Sequence, residues 1–215
     1  MLDDFTWFKQ SSYLWTGQKI VYIDPWEVRD DDPKADVVFI THAHFDHYSE
    51  PDLNKIVTER TVLVAPHDVA EQCLKRGDVR AVRPGETIEA GGFSAEAIPA
   101  YNQREDRKDF HPRDNDWVGY IIDFGGTRYF FAGDTDHTKE VGDVRTDVAF
   151  LPIGGTYTMD IDEAIEAAKA IGPKLAVPCH FGFVVGSQKL GDQFVKAIAP
   201  IEGWVMKPAH NFEQP

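Results

Sequence analysis

Short apolar runs rich in β-branched and aromatic residues recur along the chain, and several end abruptly at polar residues. Ile20-Val-Tyr-Ile23 stops at Asp24-Pro25, Val37-Val-Phe-Ile40 at Thr41-His42, and Val148-Ala-Phe-Leu151 at Pro152-Ile-Gly-Gly155. Tyr129-Phe-Phe131 leads into Gly133-Asp134-Thr135, and Leu175-Ala-Val177 into Pro178-Cys-His180. Unbroken runs of this length predict buried strands. Their polar ends predict a site assembled along one sheet edge. Over 159–172 the period changes: Ile161, Ala164, Ile165, Ala168 and Ile171 fall three and four apart. Asp160 and Glu163 are spaced as a capping box there, and Gly172-Pro173 stops the predicted helix. Shorter helices are predicted over 51–59, 67–76 and 189–199. Residues 79–131 read as meandering strands that turn at Pro84-Gly85, Gly91-Gly92 and Gly125-Gly126. Interspersed strands and helices, with both parallel-type and hairpin-type connections, indicate a layered α/β architecture and not a simple doubly wound sheet.

The 215 residues are 42% hydrophobic and include 14 Phe, 7 Tyr and 5 Trp, enough to bury a substantial core. That excludes disorder, collagen-like repeats and coiled coil for the chain as a whole. No linker or internal repeat divides it, so residues 1–215 are expected to form one domain. Charge narrows the partners. The 22 Lys+Arg against 36 Asp+Glu give −14, a field that repels phosphate backbones and argues against nucleic-acid binding. A small anionic substrate stays compatible, because bound divalent cations reverse the potential locally. Cys73 and Cys179 cannot build a disulfide framework and are expected to be reduced core thiols. Without a basic-then-apolar leader, or any apolar run near the ~20 residues that cross a bilayer, the chain is expected to be soluble and cytoplasmic. A homo-oligomer is compatible with all of this.

The densest chemistry lies in Thr41-His-Ala-His-Phe-Asp-His47, directly after a predicted strand. Neutral imidazole and carboxylate suit Zn2+, and also Mn2+ or Fe2+. In an extended turn His42 and His44 project to the same side, while Asp46 and His47 can face a neighbouring point. Four ligands this close crowd one tetrahedral ion but divide naturally between two. Asp134 follows an aromatic strand and a glycine that permits close approach, and its carboxylate can bridge two cations. His180 ends another strand; alternation sends it and Cys179 to opposite faces, assigning His180 to metal and Cys179 to packing. A lone histidine there is more often a satisfied polar residue, but the first cluster shifts that balance. His67 reads as a helix-start cap or surface residue and His137 as a loop residue. His210 reads as a residue near the terminus that either supports or closes the site.

Together, His42-x-His44-x-Asp46-His47, Gly133-Asp134-Thr135 and the late His180 resemble the metallo-β-lactamase superfamily over nearly the whole chain. Within it, the chain is similar to small prokaryotic metal-dependent hydrolases. More distantly it is similar to N-acylphosphatidylethanolamine phospholipase D and the ascorbate-6-phosphate lactonases. Pro152-Ile-Gly-Gly-Thr-Tyr-Thr-Met159 and Gly119-Tyr-Ile-Ile122 fit that branch. The resemblance implies a four-layer αββα sandwich with the site along one edge of the two sheets. It also implies His42 and His44 on a first metal, Asp46, His47 and His180 on a second, and Asp134 bridging them.

One departure stands out. The superfamily usually supplies another first-site histidine after a mid-chain strand, where this chain has Ile98-Pro-Ala-Tyr-Asn102. His111, nine residues later, is expected to take that place; otherwise Asn102 or water completes the first site. The segment 102–113, polar up to Phe110, would then be a mobile lid that brings His111 in. Its Arg104, Arg107, Lys108 and Arg113 would form a basic lip for phosphate or carboxylate, or else a solvated loop.

These readings point to a hydrolase using a metal-activated hydroxide at a dinuclear site, with Asp46 and Asp134 as the catalytic carboxylates. Phosphoesters are placed ahead of lactones and other acyl substrates. Two alternatives stay open. One is a non-catalytic metal-binding or sensor protein, which a weakened first site at Asn102 would suit. The other is a di-iron redox protein, whose flavin domain would need room beyond 215 residues.

Overall fold

The chain lays its apolar runs down as strands in sequence order. In the computed structural model, which describes residues 1–214, the first sheet is β1 (Phe5–Trp7), β2 (Tyr13–Thr16), β3 (Ile20–Ile23), β4 (Val37–Phe39), β5 (Val62–Pro66) and β6 (Asp78–Val82). The second is β7 (Thr87–Ala90), β8 (Phe93–Pro99), β9 (Val118–Phe124), β10 (Thr127–Phe131), β11 (Val148–Pro152), β12 (Leu175–Cys179) and β13 (Glu202–Gly203). Each sheet starts antiparallel and turns parallel, from β3 to β6 in one and from β10 to β13 in the other. Parallel neighbours need long crossovers. In the first sheet an irregular connection over 24–36 links β3 to β4, and helices α1 (Glu50–Ile56) and α2 (His67–Cys73) supply the next two. In the second, α3 (Lys139–Gly142), α4 (Ile161–Ile171) and α5 (Lys189–Ala197) do so.

Alternation along β4 separates the layers. Val37 and Phe39 enter the large core between the sheets, whereas Val38 and Ile40 join Leu53, Ile56, Val69 and Cys73 under α1 and α2. Aromatic pairs fill the middle: Phe39 and Tyr120 lie 5.2 Å apart, Tyr13 and Phe150 4.7 Å, and Trp15 stacks on Phe124 at 4.2 Å. Helix α4 buries Ala164, Ala167, Ala168 and Ile171 against the second sheet. Its capping box forms, with Asp160 accepting from the Glu163 N–H at 3.0 Å, and Gly172 ends it at φ +63°. The result is the αββα arrangement.

Some expectations change. The meander predicted over 79–131 divides between the sheets: β6 pairs with β5, and the Pro84-Gly85 turn carries the chain across to β7. Residues 100–117 form no strand; they hold hydrogen-bonded turns over 105–110 and a 3-10 turn at Arg113–Asn115. Strand β12 continues through Pro178, since β13 pairs only with Leu175 and Ala176 and needs no ladder bond further on. Strands β1, β2, β5 and β13 and helix α3 lie outside the predicted elements. Cys73 and Cys179 are both free and buried.

Candidate metal centre

The parallel strands deliver their polar carboxyl ends to one edge. Asp24 follows β3, the His42–His47 segment follows β4, Asp134 follows β10 and His180 follows β12. His111 arrives from the 100–117 connection. The donor atoms gather in two groups, His42, His44, His111 and Asp134 in one and Asp46, His47 and His180 in the other, each group within 4.8 Å. Asp134 reaches both. Its Oδ2 lies 3.4 Å from His111 Nε2 and 3.2 Å from His180 Nε2, and its Oδ1 lies 3.3 Å from His47 Nε2. Gly133 makes that approach feasible: its φ is +65°, and a Cβ there would sit 3.1 Å from the Thr41 Cβ and 3.2 Å from the Val118 carbonyl oxygen. All seven predicted ligands are thus brought together.

Hydrogen bonds at the far ring nitrogens settle which way the histidines face. Asp24, fully buried, accepts from His47 Nδ1 at 2.7 Å and from the Thr41 N–H and hydroxyl, both at 2.7 Å. His47 Nε2 is left without a hydrogen bond. The same logic runs through Asn102. Its Nδ2 donates to Asp136 Oδ1 at 2.8 Å, which turns its Oδ1 toward His111 Nδ1 at 2.7 Å. That carbonyl can only accept, so His111 Nδ1 donates to it and Nε2 is the ring atom that faces Asp134, again with no hydrogen bond. Asn102 therefore spends its oxygen on orienting His111. Buried imidazoles held by a carboxylate or amide on one nitrogen, and bare on the other, are the arrangement that metal-binding histidines take. Asp134 Oδ1 is likewise buried and unpaired. These orphaned atoms fit a metal-binding role.

Electrostatics divide the groups. Burial and the nearby His47 hold His42 well below its ordinary pKa, and burial and His111 lower His44. In the second group burial opposes the charged form, but the carboxylates win. Asp134, Asp24 and Asp46 raise His47 well above its ordinary value, and Asp134 and Asp46 raise His180 to about 9. The same pairings, against burial, hold Asp134 well down and bring Asp46 to about 2. Protons on His47 and His180 thus occupy the electrostatic place that a cation would fill.

The comparisons with known proteins agree with this geometry. The family described as Beta-lactamase superfamily domain matches residues 4–180. The chain belongs to the beta-lactamase superfamily. It is 32% identical to the UPF0173 metal-dependent hydrolase of Thermoplasma acidophilum over 188 residues, covering 81% of each chain. It superposes on a crystal structure from Parabacteroides distasonis with a TM-score of 0.85 and 30% identity, covering 95% of this chain and 92% of that one. Igni18, a metallo hydrolase from Ignicoccus hospitalis, shares the fold at TM-score 0.76 and 24% identity, with 96% and 95% covered.

In this superfamily member the 102–113 segment is latched down. Arg107 is buried and paired with Asp136, at 2.5 Å, and with Glu163. Arg104 pairs with Asp106, Asp160 and Glu163, Lys108 with Glu105, and Arg113 with Glu140. The basic lip is therefore absent: each of these cations is already matched by an acid. His67 is an exposed residue opening α2, and His137 lies in a loop beside Gly142. His210 bonds the Glu27 carbonyl at 2.7 Å and joins neither donor group. Three supporting residues lay outside the predicted set. Asp24 had a signal, an acid closing an apolar run. Asp136 had a weaker one, two residues past Asp134. Gln10 had none: it contacts both ring nitrogens of His180, at 3.1 and 3.2 Å, and its carbonyl takes the His180 N–H at 3.1 Å. Gln10, Asp24 and His180 all sit at positive φ, between 45° and 53°, a strain of the kind that gathers at functional sites.

Proposed function

We propose that this chain is a cytoplasmic, single-domain hydrolase that holds two divalent cations, Zn2+ with Mn2+ or Fe2+ as alternatives, and cleaves an ester-type bond in a small molecule. The observation that carries it is Asp134, set between two groups of buried donors whose His47 and His111 Nε2 atoms have no other partner. His42, His44 and His111 would hold one cation, and Asp46, His47 and His180 the other, with Asp134 shared. When bound, such cations supply Lewis acidity and a water acidic enough to ionise near neutral pH. The side chains do the rest. Asp46 lines the pocket and its carboxylate stays ionised, so it accepts a hydrogen bond from a water and orients it. Asp24 and Asn102 keep His47 and His111 turned inward.

The arginines of 102–113 are each paired with an acid, so a phosphoester, placed ahead of lactones from the sequence, would rely mainly on the bound cations to meet its charge. The sensor reading rested on Asn102 at the first site, and Asn102 instead holds His111. Metal analysis of protein purified without chelator, with turnover on phosphodiester, lactone and ester substrates, tests the reading. We expect two ions per chain, activity lost to chelator and restored by metal, and both ions weakened in Asp134→Ala. Fully loaded protein that turns over no substrate would leave the metal-binding role alone.

A further inference from the structure

A cavity of about 250 Å³ opens onto the donor cluster and is lined by His44, Asp46, Asp134, Phe45, Phe110, Tyr157 and Val184. It thus touches both donor groups, and the rest of its wall is apolar or aromatic. Among the described residues six large apolar side chains are exposed, and three of them, Phe45, Phe110 and Val184, stand on this one wall. Their concentration marks a surface kept apolar for contact. Four separate segments supply it: the loop after β4, the 100–117 connection, the β11–α4 connection and the β12–α5 connection. The aromatic members are braced, Phe110 edge-on to Tyr157 at 4.7 Å and Phe45 edge-on to Trp26 at 5.7 Å. No lining residue is Lys or Arg. The cations nearby in sequence, Arg104, Arg107, Lys108 and Arg113, are all paired, and Lys9 is held by Glu213 at 2.5 Å. An anionic phosphodiester would find positive charge there only at the bound cations, with no side chain of the wall to take up charge beyond them and a net charge of −14 on the chain opposing its approach.

Building on the hydrolase reading, we infer that the substrate is a neutral carboxylic ester or lactone whose apolar part lies against Phe45, Phe110, Tyr157 and Val184. Water supplies the hydroxyl of the new C–O bond at the carbonyl carbon. The ester C–O bond breaks, the leaving alkoxide takes the remaining proton, and the carboxylic acid formed ionises. Phe45, Phe110, Tyr157 and Val184 act only on the non-reacting end, so they set specificity.

The test uses the metal-loaded protein with p-nitrophenyl acetate, butanoate, hexanoate and octanoate, lactones of matching length, and bis(p-nitrophenyl) phosphate. Each methylene buried against this wall should raise kcat/KM by about two- to fourfold until the cavity is full. The Kd of the corresponding alkanoates, measured by calorimetry, should fall with the same slope. Val184→Asp, on an exposed bend, should flatten both slopes while the ion content and circular dichroism stay unchanged. If the phosphodiester is cleaved and the esters are not, or length has no effect, the inference falls while the hydrolase reading stands. If nothing on the panel is cleaved, the hydrolase reading itself fails.

Discussion

Asn102 shows how much a single side chain can mislead when its partner is out of view. From the sequence it is a defect in a ligand set, a weak donor where a histidine is expected. In the fold it is a positioning residue, oriented by the buried Asp136 so that its oxygen fixes the His111 tautomer. That inversion was illegible because Asp136 is 34 residues away and nothing local announces the pairing. His111 itself was legible, as the nearest imidazole to a missing ligand. The two residues should separate experimentally. His111→Ala removes a donor and should leave one ion bound far more weakly than the other. Asn102→Ala keeps the donor but frees its ring, and should weaken the same ion by about tenfold, at the mild end of what supporting residues contribute. Metal titration with Co2+ absorption as the second readout checks this; an unchanged Asn102→Ala spectrum and affinity would show the amide to be idle.

Elements carry the next level of explanation, and here the shared use of residues matters. The capping box of α4 was legible from spacing, because Asp160 and Glu163 act within one turn. Their second use was not: Glu163 also takes Arg107, and Asp160 takes Arg104, so the start of α4 clamps the 100–117 connection. A segment whose composition reads as a mobile lid is thereby tied at Arg107, which is only 4% exposed. Removing one partner of a buried ion pair leaves the other charge uncompensated and costs about 3–5 kcal/mol. Glu163 is partly exposed, which reduces that cost. Arg107→Met should therefore loosen this connection first: amides of 102–113 should exchange faster, and affinity for the ion served by His111 should drop, while α1, α2 and the first sheet keep their protection. Arg107→Lys should restore part of both, since it returns the charge without the fork. Hydrogen exchange by mass spectrometry reads the outcome, and uniform loss of protection across the chain would mean the latch is a general stability contact. The strands closing the site follow the opposite rule. β3, β4, β10 and β12 were legible because each is an unbroken apolar run ended by a polar residue. β1 and β2 were not, their short runs being recognisable only once paired, whereas β5 carries the same signal as the legible strands, a five-residue apolar run ending at His67.

At the scale of the molecule, the two sheets gather buried carboxylates at one edge, and something positive must balance them. In the metal-free protein the balance comes from protons on His47 and His180. The sign of the pH dependence follows. A histidine whose pKa is raised on folding stabilises the fold fully below its unfolded value, near 6.5, and that contribution disappears as pH climbs through the folded value. For His180 the window runs from about 6.5 to about 9, and His47 acts in the same direction. His42 and His44 are lowered, so their effect lies on the acid side of 6.5 and is constant across this window. His180 alone represents about 3 kcal/mol by this reckoning, or roughly 6–12 °C in Tm for a chain of this size. Metal works in reverse, because ligands must lose their protons to bind it, and binding tightens as pH rises. Chelated protein should consequently lose Tm between pH 6.5 and 9, loaded protein should hold or gain it, and the gap between them should widen steadily. Thermal melts at matched ionic strength decide the matter. A gap that stays constant over that range would mean that protons and cations do not compete for His47 and His180, and these residues would then not be the second ion's ligands.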